Sequence, residues 1–262
     1  MNQLSDPIAV FDSGMGGISV LREMTKLMPN EDFIYYGDSK HAPYGTKTLE
    51  EVRTLTIEHI TYLIKEKHAK AIAVACNTAT SAAVRQLRIM YPHLTIVGIE
   101  PAIKPAVESN HGGEILVMAT PMTIKQEKFN RLLDIYKDRA KIIPVSCKGL
   151  MEFVEHGNLN GSFLEAYFNE TLVPYLNDTT ETIVLGCTHY PFLRPYLKEF
   201  LGERRIQIID GSHGTSCELK RQLAGKKLLQ KENHEGKVVI KNSMDEPEMI
   251  DLSWKLLNLP ID

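Results

Sequence analysis

Ala71-Ile72-Ala73-Val74-Ala75-Cys76-Asn77-Thr78-Ala79-Thr80 reads as a buried strand that ends on a thiol and turns straight into a helix. The same plan returns roughly 110 residues further on, as Thr182-Ile183-Val184-Leu185-Gly186-Cys187-Thr188-His189. A β-branched apolar run, a small residue, a cysteine and then hydrogen-bonding side chains recur in the same order. Two thiols are thereby placed at equivalent ends of two equivalent elements.

Upstream, Ile8-Ala9-Val10-Phe11 is a short apolar run followed by the turn Asp12-Ser13-Gly14-Met15-Gly16-Gly17. Ile18, Val20, Leu21, Met24 and Leu27 then fall at helical spacing. Phe33-Ile34-Tyr35-Tyr36 gives a second strand, with Gly37-Asp38 and the loop His41-Ala42-Pro43-Tyr44-Gly45 behind it. An amphipathic helix from Leu49 to Lys67 leads into the Cys76 strand, and Thr95 to Ile99 supplies a fourth. After the Pro-bounded connection Glu100 to Pro105 the order starts over. Strands are expected at Ile115 to Ala119, Lys141 to Val145, the Cys187 run, and Arg205 to Ile209.

Strand-helix alternation of this kind implies parallel sheets with right-handed crossovers. The expected fold class is α/β, with two pseudo-symmetric parallel-sheet domains facing a central cleft. Residues 1–97 plus 213–262 form the first domain, carrying Cys76, and 98–212 the second, carrying Cys187. The tail should add a helix around Ser216 to Leu223, a strand Lys237 to Lys241, and a last helix beginning after Asp245-Glu246-Pro247 that packs back on the first half.

Bulk properties narrow the function. Thirty Lys and Arg against thirty-three Asp and Glu give a formal charge of -3, so there is no basic footprint for nucleic acid and no polybasic membrane anchor. The polar start, Met1 to Pro7, leads into only four apolar residues, Ile8 to Phe11, too few for a signal or spanning segment. A cytoplasmic location and a small-molecule partner are expected. The cysteines show no CxxC spacing and the histidines no ligand spacing, so no metal and no disulfide are expected.

In parallel α/β sheets ligands bind beyond the carboxyl ends of the strands. Asp12, Ser13, Asp38, Tyr44, Cys76, Asn77, Thr78, Thr120, Cys187, Thr188 and His189 all fall there. A thiol at a helix N-terminus has its thiolate stabilised by the helix dipole, which makes it a base as well as a nucleophile. Two such thiols on opposite faces of a carbon acid can take a proton from one face and return one to the other. That is stereoinversion without a cofactor. His189 is placed to orient Cys187, and Asp12 and Glu155 are acidic candidates for a substrate ammonium or a supporting role. A lone buried cysteine is usually inert; recurrence at the repeat interval is what favours chemistry for this pair. Cys147 and Cys217 lack that context and are expected to be packing residues.

Four motifs carry a family resemblance: Phe11-Asp12-Ser13-Gly14-Met15-Gly16-Gly17, Gly37-Asp38 with Pro43-Tyr44-Gly45, Ala75-Cys76-Asn77-Thr78-Ala79-Thr80, and Leu185-Gly186-Cys187-Thr188-His189-Tyr190-Pro191. Together, in this order, they resemble the glutamate racemases of the cofactor-independent aspartate/glutamate racemase superfamily. Thr80 and His189 resemble the glutamate branch more than the aspartate branch. The resemblance implies that Cys76 and Cys187 are the acid/base thiols, assisted by Asp12, His189 and Glu155. It implies that Asp12, Ser13, Tyr44, Gly45, Asn77, Thr78, Thr188 and His189 bind L- and D-glutamate, and that D-glutamate serves peptidoglycan synthesis, cell-wall biogenesis and cell shape. No cofactor and no metal are implied, and a homodimer is expected. The chain departs from the family pattern at Met122-Thr123, Gln126 and Lys148. Rival expectations are aspartate or hydantoin racemisation, or a two-lobed binding module without chemistry.

Overall fold

The computed structural model describes residues 4–244 and 246–261. Asp245, read from sequence as part of the entry to the last helix, and Met1 to Gln3 lie outside the described residues. In chain order the strands are β1 Ile8–Asp12, β2 Phe33–Gly37, β3 Ala71–Val74, β4 Thr95–Gly98, β5 Glu114–Ala119, β6 Lys141–Ser146, β7 Thr180–Leu185, β8 Gln207–Asp210 and β9 Val238–Asn242. The helices are α1 Ile18–Leu27, α2 Leu49–Lys65, α3 Asn77–Met90, α4 Ile103–Glu108, α5 Pro121–Lys125, α6 Glu127–Tyr136, α7 Leu150–Glu155, α8 Ser162–Thr171, α9 Arg194–Leu201, α10 Ser212–Gly225 and α11 Pro247–Asn258.

Two units form. Residues up to Ile99 together with Ser212–Asn258 make the first, and Glu100–Gly211 with Leu259, Pro260 and Ile261 the second. The first holds a five-stranded sheet in the order β4-β3-β1-β2-β9, the second a four-stranded sheet in the order β6-β5-β7-β8. Every strand pair is parallel. Taken from its other edge, the second sheet runs β8-β7-β5-β6, which repeats β4-β3-β1-β2 strand for strand.

Burial explains which runs became strands. All five residues of β1 and all six of β5 are buried, as expected where helices cover both faces of a parallel sheet. The helix α2 starts at a capping box in which Thr48 and Glu51 satisfy each other's backbone N–H groups. In the first unit α2 packs on α3, while α10 and α11 both pack on α1. The added strand β9 extends the sheet beyond β2, with Val239 opposite Ile34. The tail thus completes the first unit rather than forming a third. Among the described residues no helix is long and apolar enough to cross a membrane.

Strand order locates the crevice in each sheet. The chain leaves β1 for β2 on one side and returns to β3 on the other, so the switch point of the first sheet lies between β1 and β3. In the second sheet it lies between β5 and β7. Such switch points open a crevice at the carboxyl ends of the strands.

Candidate active site

In the first unit, Asp12 and Ser13 leave β1, and Cys76 leaves β3, on either side of that switch point. The Cys76 thiol donates to Ser13 Oγ at 3.4 Å, and Cys76 Sγ accepts the Ala79 N–H at 3.5 Å as N-cap of the 14-residue helix α3. The dipole of that helix and its first N–H groups favour negative charge on the sulfur. Asn77 and Thr78 follow in the first turn and are buried, and Asn77 Oδ1 has no hydrogen-bond partner among the described residues. A buried amide oxygen left in that state is costly unless a ligand or water pairs with it.

Asp12 is fully buried and its Oδ1 accepts the Gly14 N–H at 2.8 Å, closing the turn after β1. The Gly14 carbonyl in turn accepts the Tyr35 hydroxyl at 2.7 Å. Gly37 lies alongside, where a Cβ would run into that same carbonyl oxygen. Tyr44, in a short helical turn with Gly45, is 1% exposed and donates its hydroxyl to Asp38 Oδ2 at 2.7 Å. Burial, that hydrogen bond and the charges of Asp38, Cys76 and Asp12 hold the Tyr44 phenol well above its ordinary range, so it remains a donor. Burial alone would push the Asp38 carboxyl up. The neighbouring rings of His59 and His41 and the hydroxyls of Tyr44 and Ser243 outweigh it and hold Asp38 well below the usual carboxylate range.

In the second unit Cys187 follows β7 after Gly186. The sequence places a helix start directly behind the thiol, by analogy with Cys76. Instead a 3-10 turn, Tyr190–Leu193, intervenes, and α9 begins only at Arg194. Pro191 has no N–H to continue an α-helical ladder from Cys187, so the second thiol lacks the helix cap that serves the first. A charge relay takes its place. His189 Nδ1 lies 3.6 Å from Cys187 Sγ, and His189 Nε2 lies 2.6 Å from Glu155 Oε1 at the end of α7. Burial would push the His189 imidazolium down. Its hydrogen bonds to Cys187 and Glu155, and the charges of both, more than reverse this and raise it well above the ordinary histidine range. The half-buried sulfur therefore sits beside an imidazolium fixed by a carboxylate. Thr188, between Cys187 and His189 in the chain, is buried.

Of the other cysteines, Cys147 is 2% exposed and its thiol is pushed up to about 12 by burial and by the charge of Cys187, which leaves it an inert packing group. Cys217 is a correction. It is exposed on α10, where its Sγ lies 3.4 Å from His213 Nε2 one helical turn away, so it packs no core. Thr120 caps α5 by accepting the Thr123 N–H at 3.2 Å, a capping role open to it despite the departure at Met122-Thr123. Lys148 lends its carbonyl to the Tyr167 hydroxyl at 3.0 Å.

The structure thus brings Asp12, Ser13, Cys76, Asn77, Thr78 and Tyr44 together in the first unit, and Glu155, Cys187, Thr188 and His189 together in the second. What the sequence missed is the set Asp38, His41 and His59, whose ligand-type atoms all lie within 4.8 Å of one another. Asp38 and His41 were visible in a strand-end loop, but His59 comes from the middle of α2, and only folding brings it to them.

A family model described as Asp/Glu/Hydantoin racemase matches residues 10–213. A glutamate racemase of Clostridium botulinum (strain Loch Maree / Type A3) is 52% identical over 259 residues, covering 99% of this chain and all of that protein. The glutamate racemase of Clostridium perfringens (strain SM101 / Type A) is 49% identical over 253 residues, 97% of this chain and 96% of that one. Among solved structures, a glutamate racemase isoform from Bacillus anthracis superposes with a TM-score of 0.86 at 30% identity, covering 97% of this chain and 94% of that one. The Francisella tularensis glutamate racemase, solved in complex with D-glutamate, gives 0.83 at 25% identity over 98% and 95% of the two chains.

Proposed function

Because the chain belongs to the Asp/Glu/hydantoin racemase family, we propose that it interconverts L- and D-glutamate by cofactor-independent proton transfer at Cα, with Cys76 and Cys187 as the two acid/base thiols. The observation that carries this reading is the recurrence of a thiol after the third strand of each repeat, at equivalent switch-point positions of two sheets with one strand order. A core-packing cysteine has no reason to be matched in this way and then given a charge-stabilising partner in each copy.

The two partners differ in kind. Cys76 has the N-terminus of α3, whereas Cys187 has the His189–Glu155 pair. In one direction the thiolate of one cysteine removes the Cα proton and the thiol of the other protonates the opposite face; in the reverse direction the roles exchange. The Cα–H of an amino acid carboxylate is a very weak acid, so donors close to the carboxylate must stabilise the charge that develops. Ser13, Asn77, Thr78 and Thr188, with the backbone around Gly45, are assigned to the substrate's carboxylates, and Asp12 to its ammonium. Asn77 serves a carboxylate through its Nδ2 donors, and its orphaned Oδ1, an acceptor, is left for the substrate's ammonium. The protein acts in the cytoplasm as a homodimer, and its D-glutamate enters peptidoglycan synthesis.

The test follows L-glutamate by circular dichroism in deuterated buffer with purified protein and no added pyridoxal phosphate. The ellipticity should decay to zero while deuterium enters Cα. Deuterium-free glutamate after prolonged incubation would leave only a binding module, and turnover of aspartate or a hydantoin in place of glutamate would move the chain to another branch of the family. Cys76→Ser and Cys187→Ser should each abolish racemisation; full activity in either would refute the two-thiol assignment.

A further inference from the structure

Beyond the proposed proton-transfer site, the first unit carries a group of side chains that the racemase chemistry does not use. Asp38 follows β2, His41 ends the short turn Ser39–His41, and His59 projects from α2. His41 Nδ1 lies 2.9 and 3.0 Å from the two Asp38 oxygens, and His59 Nε2 lies 3.0 Å from Asp38 Oδ2. Tyr44 donates to the same Oδ2 at 2.7 Å.

We propose that Asp38, His41 and His59 form a binding site for a divalent transition metal of the zinc class. Two observations carry this beyond an ordinary ion-pair cluster. His59 Nε2 is buried and, although close to Asp38 Oδ2, makes no hydrogen bond of acceptable geometry among the described residues. Its ring is also held in place, with centroids 5.8 Å from Phe11 and 5.2 Å from Tyr36, so it cannot simply turn away. A fixed ring nitrogen at that distance from a carboxylate oxygen needs a proton or a metal cation between the two, and here the contact does not have hydrogen-bond geometry. The donor set favours zinc, cobalt or nickel over magnesium or calcium, because two imidazoles and one carboxylate suit borderline metals.

The spacing fits as well. Metal bonds of about 2.0–2.2 Å in a tetrahedron place neighbouring ligand atoms roughly 3.3 Å apart, so the two Asp38–His pairs at 2.9–3.0 Å need to open by a few tenths of an ångström, while the two ring nitrogens lie within 4.8 Å of each other. Asp38 is buried, while His41 is partly exposed and offers a way in from solvent. Three protein ligands leave a fourth position for water. The site does not depend on the racemase reading.

The test uses the full chain stripped with a chelator and titrated with cobalt(II), followed by zinc. One equivalent of cobalt should give visible ligand-field bands that zinc displaces, without a thiolate charge-transfer band. His41→Ala and His59→Gln should each weaken uptake tenfold or more, since even an outer partner of a metal ligand is worth about 10- to 100-fold, while Cys217→Ser leaves it unchanged. Thermal melts of the metal-free variants show whether they are folded, and the partly exposed His41 keeps the test informative if His59→Gln is not. No uptake, a thiolate charge-transfer band, or His41→Ala binding as tightly as the unaltered chain would each overturn the proposal.

Discussion

Replacing Glu155 by Gln tests the relay behind the second thiol while leaving both sulfurs in place. The Glu155 carboxylate is 14% exposed and its 2.6 Å bond to His189 is short, so the interaction falls among charge-assisted hydrogen bonds worth about 1.5–3 kcal/mol. Taking about 2 kcal/mol, kcat/KM should fall about 30-fold, since each 1.4 kcal/mol is a factor of ten. Because L- and D-glutamate have equal free energies, the fall must be the same in both directions. Discrimination comes instead from elimination of a leaving group from a β-substituted glutamate, which needs only one base. Elimination from the enantiomer whose Cα–H faces Cys187 should drop with racemisation, and elimination from its mirror image should persist. Stability gives an independent readout. A histidine raised in the folded state contributes stability that is complete below its unfolded pKa of about 6.5 and is lost as pH rises through the folded value. Urea unfolding of the unaltered chain should therefore lose stability above about pH 6.5, and Glu155→Gln should flatten that decline. Unchanged kcat/KM, or equal losses for both enantiomers in elimination, would refute the relay.

Asp38 should behave in the opposite sense. Its depressed carboxyl contributes stability present above about pH 3.9 and lost below it, so Asp38→Asn should remove part of the acid-induced loss seen in denaturant titrations at falling pH. Gly37→Ala should cost about 1–3 kcal/mol of unfolding free energy, because its methyl meets the Gly14 carbonyl and displaces the turn that follows β1. Lys70 and Glu31 form an ion pair at 2.6 Å with side chains 0% and 2% exposed. Lys70→Met alone should cost about 3–5 kcal/mol, and the double variant with Glu31→Leu much less; equal losses in the two would refute an uncompensated buried charge as the cause.

The strands, their parallel arrangement and the repeat were legible in the residues, because continuous apolar runs such as Ile8 to Phe11 and Ile115 to Ala119 have to be covered on both faces, and period and turn residues are local. So was the placement of Cys76 and Cys187 at equivalent strand ends. His189 beside Cys187 was legible too, but folding set the remaining neighbours of each sulfur and the route by which Glu155 acts, through His189. The Ser13 contact to Cys76 and the Glu155 contact to His189 join residues far apart in the chain, and no local pattern encodes such pairings. The helix expected behind Cys187 gave way to a 3-10 turn, and His59 reached Asp38 from an unremarkable helical position. Hydrophobic periodicity reports which face of an element is buried; it does not report which polar side chains meet once those faces are packed.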